Sequence, residues 1–102
     1  MADLKRLSGM LGLAMRAGKV VVGTEQICIA LSKKRVHLVL ISTEASDGTK
    51  NKLKFKCEFY GVEVSQIGID TAELGRLLGK TYTPAAVAIA DEGCANAIRA
   101  LI

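Results

Sequence analysis

The sequence of 102 residues contains no tryptophan, one proline, one histidine and only four aromatic side chains, two phenylalanines and two tyrosines. With so few rings, a core has to be assembled from Val, Ile, Leu and Ala, which dominate an apolar fraction of 50%. One proline and no low-complexity stretch leave nowhere to divide the chain, so a single domain spanning 1–102 is expected, long enough to bury a substantial core. No apolar run approaches the ~20 residues that cross a bilayer. The opening Met1-Ala2-Asp3-Leu4-Lys5-Arg6 lacks the apolar centre of a secretory signal. The expectation is a cytoplasmic protein with no membrane partner.

Cysteine and histidine are too sparse for metal chemistry. Cys28, Cys57 and Cys94 are odd in number, no Cys-x-x-Cys pair occurs, and His37 stands alone. A tetrahedral zinc would need four ligands from that set without any of the usual spacings. No metal, cofactor or disulfide is expected, and the thiols read as small buried side chains at helical spacing among apolar neighbours. Catalytic sets fare no better. His37 abuts an apolar strand rather than a loop where a nucleophile could meet it. The acid pairs Glu44/Asp47 and Asp91/Glu92 fall where helix caps belong. The run from Gly12 to Gly18-Lys19 mimics a phosphate loop, but it has five residues between the glycines instead of four and Val20 after the lysine. The chain is therefore expected not to be an enzyme.

What the sequence does have is alternation. Leu4, Leu7, Leu11 and Ala14 recur at helical spacing, and Gly18 ends that helix. Val20 to Val22 predict a first strand, and Thr24 to about Lys34 a second helix with Thr24 as its cap. His37 to Ser42 is a continuous apolar run, as in a strand covered on both faces. Ser46 or Thr49 can cap a third helix carrying Leu53, Cys57 and Tyr60 and stopping at Gly61. Val62 to Ile67 alternates like a strand with one wetter face. Asp70 and Glu73 form a capping box for a helix ending at Gly79. Ala85 to Ala90 predict a last strand, and Asp91 caps a last helix. The order α-β-α-β-α-β-α-β-α predicts a three-layer α-β-α sandwich around a central four-stranded sheet.

The net charge of +4 is unevenly placed: residues 1–56 carry eleven Lys and Arg against four Asp and Glu, and residues 57–102 carry three against six. A basic half fits a polyanionic partner, or an ordinary solvated face. The most informative stretch is Arg16-Ala-Gly-Lys-Val-Val-Val-Gly-Thr-Glu-Gln-Ile27. A strand that passes through Gly23 straight into a helix leaves unpaired N–H groups beside a residue without a side chain, an anion site in waiting. Arg16, Lys19, Lys33, Lys34 and Arg35 are expected around it. Lys50, Lys52, Lys54 and Lys56 split into two pairs on the third helix and read as a solvated face.

These residues carry a resemblance. The segments Gly12 to Lys19, Gly23-Thr-Glu-Gln26, Leu38 to Ile41, Glu44 to Lys50 with Lys56-Cys57, Leu74-Gly75 with Gly79-Lys80, and Val87 to Asp91 follow one another over most of the chain. In that order they resemble the kink-turn RNA-binding ribosomal proteins of the L7Ae/L30e superfamily, and within it the small bacterial YlxQ-like branch. The resemblance implies an α-β-α sandwich with a mixed sheet and binding to structured RNA, ribosomal or otherwise, at tandem sheared G·A pairs. It implies that Gly23 lets phosphate approach, that Thr24 lies at the contact, and that Glu25 and Gln26 read bases. It also places Lys80 and Tyr82 in a loop packing on a looped-out base. The chain departs from the pattern at Glu25, where Asn or Lys is typical, at Ile29, where Lys is usual, and at Pro84. Those departures leave a second expectation open: a protein-interaction module on the same fold with weakened RNA binding.

Overall fold

The computed structural model describes residues 4–102. The elements follow as α1 (Leu4–Arg16), β1 (Val20–Val22), α2 (Thr24–Ser32), β2 (Leu38–Ser42), α3 (Asp47–Tyr60), β3 (Glu63–Ile67), α4 (Thr71–Leu77), β4 (Ala86–Ile89) and α5 (Glu92–Arg99). The expected order holds, and the differences are at the boundaries. α2 stops at Ser32 instead of near Lys34, and β2 begins at Leu38, leaving His37 outside it.

The sheet runs β1-β4-β2-β3. β4 is antiparallel to β1 and β2, while β3 is parallel to β2, so the sheet is mixed. Alternate side chains of the central strands feed two separate cores. Leu38, Leu40, Val87 and Ile89 meet Leu7 and Leu11 of α1, Leu74 of α4 and Ile98 of α5. Val39, Ile41, Ala86 and Ala88 meet Ile27 and Leu31 of α2 and Leu53 and Cys57 of α3. This burial on both faces accounts for the unbroken apolar run in β2. β3, at the edge, exposes Glu63 and Gln66 and buries Ile67.

The helix ends follow local chemistry closely. Ser46, Asp70 and Asp91 accept from the backbone N–H of Thr49, Glu73 and Cys94 at 3.2, 2.7 and 2.9 Å, capping α3, α4 and α5. The box at Asp70 is half made, because the Glu73 carboxylate turns forward to Arg76, whose Nε donates at 2.9 Å. That hydrogen-bonded pairing lowers the Glu73 pKa. α1, α3 and α4 each end on a left-handed glycine: Gly18, Gly61 and Gly79, with φ of 71°, 69° and 67°. The residue after each glycine reaches back to a helix carbonyl: Lys19 to Ala14 at 2.9 Å, Val62 to Cys57 and Lys80 to Gly75 at 2.8 Å. α2 makes the same closing bond, Arg35 N–H to Ala30 O at 3.0 Å, but the residue in the left-handed position is Lys34, with φ 56°.

Candidate functional site

β1 has only three residues, and a single residue, Gly23, turns the chain from its end into α2. The Gly23 N–H donates to Ala86 O at 3.4 Å, closing the β1–β4 ladder, and its own carbonyl accepts from Ile27 N–H at 2.9 Å, opening the helix. Both bonds require φ 98° and ψ 143°, a region that favours glycine. A Cβ at this position would meet nothing within 4 Å, so conformation and not crowding selects the residue. Gly23 and Thr24 are half-buried, with space in front of the Gly23 Cα and the exposed Glu25 and Gln26 beside them.

Thr24 does not cap α2, as the sequence suggested it would. With one residue for the turn, position 24 already lies in the first helical turn, the N-cap is Gly23, and no side chain closes the start. The N–H groups of Thr24, Glu25 and Gln26 have no partner among the described residues, whereas α3, α4 and α5 are capped. Open first-turn donors and the positive end of the helix dipole make this a place for an anion. Glu25 and Gln26 are exposed beside it, and no ion pair holds Glu25 among the described residues.

The loop that carries Lys80 and Tyr82 is tied to the same end of the sheet. It leads into Ala85 and Ala86, whose carbonyls accept from Ser42 N–H at 2.9 Å and from Gly23 N–H at 3.4 Å. Ser42 is itself buried, its hydroxyl donating to Ile69 O at 2.8 Å. Behind the loop, the place where Gly75 would carry a Cβ lies 2.5 Å from the Tyr82 carbonyl oxygen and 3.2 Å from Pro84 Cδ. Gly75 is thus what allows α4 to touch this loop. Residue-by-residue reading of function missed it, although a glycine inside a helical pattern was the available signal. Tyr82 stands 53% exposed.

The expected ring of cations around Gly23 does not form. α2 has nine residues, a rise of ~14 Å at 1.5 Å each, so Lys33, Lys34 and Arg35 follow its far end. Lys19 precedes β1 and lies at that far end too: its carbonyl accepts from Ala90 N–H at 2.7 Å and its Nζ is 3.8 Å from Asp91 Oδ1. Arg16, at the end of α1, is close to it in the chain. Asp91 is held below the ordinary carboxyl range chiefly by hydrogen bonds with Cys94, with Lys19 adding to the effect. The candidates therefore separate into two groups. Gly23, Thr24, Glu25 and Gln26 sit with the loop of Lys80 and Tyr82, and Lys19, Lys33, Lys34 and Arg35 cluster at the opposite end of α2. His37 is exposed at that second end, and its carbonyl accepts from Arg99, which also pairs with Glu63 at 2.8 Å. Cys57 is fully buried, while Cys28 and Cys94 are half-buried free thiols.

The sequence profile of the ribosomal protein L7Ae/L30e/S12e/Gadd45 family matches residues 5–99. The chain belongs to that family. It is 38% identical over 93 residues to the RNA-binding protein YlxQ of Bacillus subtilis, covering 91% of each. It is 32% identical over 98 residues to the RNA-binding protein YlxQ of Enterococcus faecium, covering 96% of this chain and 92% of the other. The large ribosomal subunit protein eL30 of Neurospora crassa is more distant, at 28% over 92 residues. A solved protein of unknown function from Bacillus halodurans superposes with a TM-score of 0.86 at 34% identity, covering 99% of this chain and 97% of that one. The Giardia lamblia 15.5kD RNA binding protein shares the fold, with a TM-score of 0.79 at 20% identity and 97% and 82% coverage.

Proposed function

We propose that this family member is a non-enzymatic, single-domain RNA-binding protein that reads structured, kink-turn-like RNA with the start of α2 and acts in association with the ribosome. The observation that carries the reading is the uncapped start of α2, open at Gly23, in a protein whose helices α3, α4 and α5 are all side-chain capped. Membership in a family whose relatives include proteins named for RNA binding supports it. In this reading a phosphate sits on the first-turn N–H groups, and Gly23 gives the backbone room to approach. The Gln26 amide both donates to and accepts from a base edge, while Glu25 accepts from an amino group. Tyr82 stacks on a looped-out base and Lys80 meets a phosphate beside it. Lys19, Lys33, Lys34 and Arg35 touch the RNA backbone a helix length away and contribute affinity without sequence preference.

Fluorescence anisotropy tests this with a kink-turn RNA and a counterpart whose sheared G·A pairs are replaced by Watson–Crick pairs. Affinity should fall with salt at a slope of about 0.7–0.9 per phosphate contacted. Lys34→Ala should weaken both RNAs alike, whereas Gln26→Ala should mainly erase the preference between them. Identical effects of the two substitutions on both RNAs would refute this division of labour.

One observation favours a second reading, a protein-interaction module with weakened RNA binding. Ile29 is 48% exposed on α2, apolar where the resembling family carries Lys. Ile29→Lys distinguishes the two, because the side chain is exposed and the change adds only a cation. A gain of ~10-fold or more in kink-turn affinity at low salt supports a relaxed RNA site. No micromolar RNA complex in either protein supports the interaction module.

A further inference from the structure

α3 carries a feature that the reading of α2 leaves unused. The chain has four aromatic residues, and none of them is among its buried core side chains. Phe55 and Phe59 are 66% and 71% exposed, both on α3, while the aliphatic Leu53 of the same helix is fully buried. A solvated lysine face explains the cations of α3 but gives no reason for two phenylalanines to stand in water.

Their placement is regular. Lys52-x-x-Phe55 and Lys56-x-x-Phe59 are two copies of one unit, offset by four residues. At about 100° per residue, the four side chains fall within an arc of ~100°. That arc lies away from Leu53 and Cys57, which face the core. The offset corresponds to a rise of ~6 Å along the helix, a step that the backbone repeat of an extended strand can match. Phe59 is braced edge-on by Tyr60, with ring centroids 4.9 Å apart and planes at 82°, and Tyr60 packs on the core. No ion pair engages Lys52 or Lys56 among the described residues.

We propose that the Lys52–Phe55–Lys56–Phe59 ridge of α3 is a second nucleic-acid surface, binding single-stranded RNA by stacking successive bases on the two rings while the lysines meet the adjoining phosphates. Charge complementarity selects a polyanion. It also disfavours a second copy of this chain, since a symmetric contact along α3 would bring the two lysine rows together. Within α3 the exposed apolar residues are both rings while the aliphatic side chain is buried, a sorting that suits base stacking better than docking of a protein segment. The proposal does not rest on the α2 reading and extends the RNA path beyond it.

A labelled uridine octamer is the test, with thermal unfolding confirming that each variant folds. The double variant Phe55→Leu/Phe59→Leu keeps apolar bulk and helix propensity but removes the π faces. It should bind the octamer ~25-fold more weakly, taking ~5-fold as the least effect of losing one stacked ring. Lys52→Gln/Lys56→Gln should reduce the salt slope by about 1.4, at about 0.7 for each lost phosphate contact on a single strand. Phe55→Trp places a lone indole in a protein that has none, and its fluorescence should be quenched at saturation. Kink-turn affinity read in parallel on the parent and the Leu variant reports the α2 surface by itself, so the surfaces on α2 and α3 can fail separately. Octamer binding by the Leu variant equal to that of the parent overturns the proposal. So does an acidic amphipathic peptide held equally by parent and Leu variant with no octamer bound, which would assign the ridge to a protein partner.

Discussion

Replacing Lys34 by glycine should make the protein more stable and a weaker RNA binder at once. Lys34 sits at φ 56° in the position that Gly18, Gly61 and Gly79 fill at the ends of α1, α3 and α4. A side chain in that conformation costs ~1–2 kcal/mol through the crowding of its Cβ. Glycine removes the crowding but adds ~0.4–1 kcal/mol of freedom to the unfolded chain. The lysine also interacts with the negative end of α2, worth ~0.3–1 kcal/mol, although Lys33 and Arg35 remain to do the same. Comparing Lys34→Gly with Lys34→Ala cancels the charge and isolates the backbone. The glycine variant should be the more stable by about 0.5–1 kcal/mol, which for a domain of this size is a Tm difference of roughly 2–8 °C. Both variants should lose the same RNA affinity, with a salt slope reduced by ~0.9. Differential scanning fluorimetry and anisotropy over a salt series provide the two readings. A glycine variant no more stable than the alanine one means the left-handed backbone at residue 34 carries no strain. Unchanged RNA binding in both variants removes Lys34 from the interface.

Two further outcomes follow from the packing. Gly75→Ala pushes a methyl group to 2.5 Å from the Tyr82 carbonyl, so α4 and the loop must separate. We expect a loss of ~1–3 kcal/mol, with amide shifts concentrated in residues 80–86 and weaker kink-turn binding, and a silent substitution would contradict that contact. Burial, with Cys28 nearby as a lesser cause, pushes the Cys57 thiol up to about 11. Its folded pKa is raised, so its contribution is intact below the ordinary thiol value of 9.0 and is lost as pH climbs toward about 11. At 1.36 kcal/mol per unit the loss is on the order of 2–3 kcal/mol. Urea midpoints between pH 8 and 11 should fall less steeply in Cys57→Ala, and the native thiol should resist iodoacetamide at pH 8.5.

Most of the architecture could be read in the sequence because its causes are local. Ser46, Asp70 and Asp91 announce three helix starts by side-chain chemistry alone, and the apolar run of β2 reports cover on both faces. The misplacements arose where meaning depends on geometry. A hydroxyl after Gly23 looks like a cap, but the identity of Thr24 does not reveal that the strand turns into the helix in one residue. Lys19 is close to Gly23 in sequence, yet extended chain rises ~3.3 Å per residue, which carries it to the opposite end of the sheet. The left-handed Lys34 was hidden because basic residues near helix C-termini have an ordinary electrostatic reason to be there. The ring pair on α3 was overshadowed by its lysines, and only burial distinguished Phe55 from Leu53.

α2 differs from its neighbours at both ends. Its start lacks the side-chain cap that α3, α4 and α5 possess, and its end lacks the glycine that closes α1, α3 and α4. Each departure is locally unfavourable, by a few tenths of a kcal/mol for glycine as N-cap and about 1–2 kcal/mol for a left-handed lysine. Core packing imposes neither one, since Ile27, Ala30 and Leu31 pack between the two ends; at Gly23 the one-residue turn at φ 98° selects glycine, while nothing comparable selects lysine at 34. The first departure leaves backbone donors facing solvent, and the second holds a cation between Lys33 and Arg35. Both place on the surface what an anionic ligand needs. Local rules broken at both ends of one helix, and kept at the capped starts and glycine ends of its neighbours, are the pattern expected when binding rather than stability governs those positions. Relieving the backbone at residue 34, or capping the start of α2, without loss of RNA affinity would break that link.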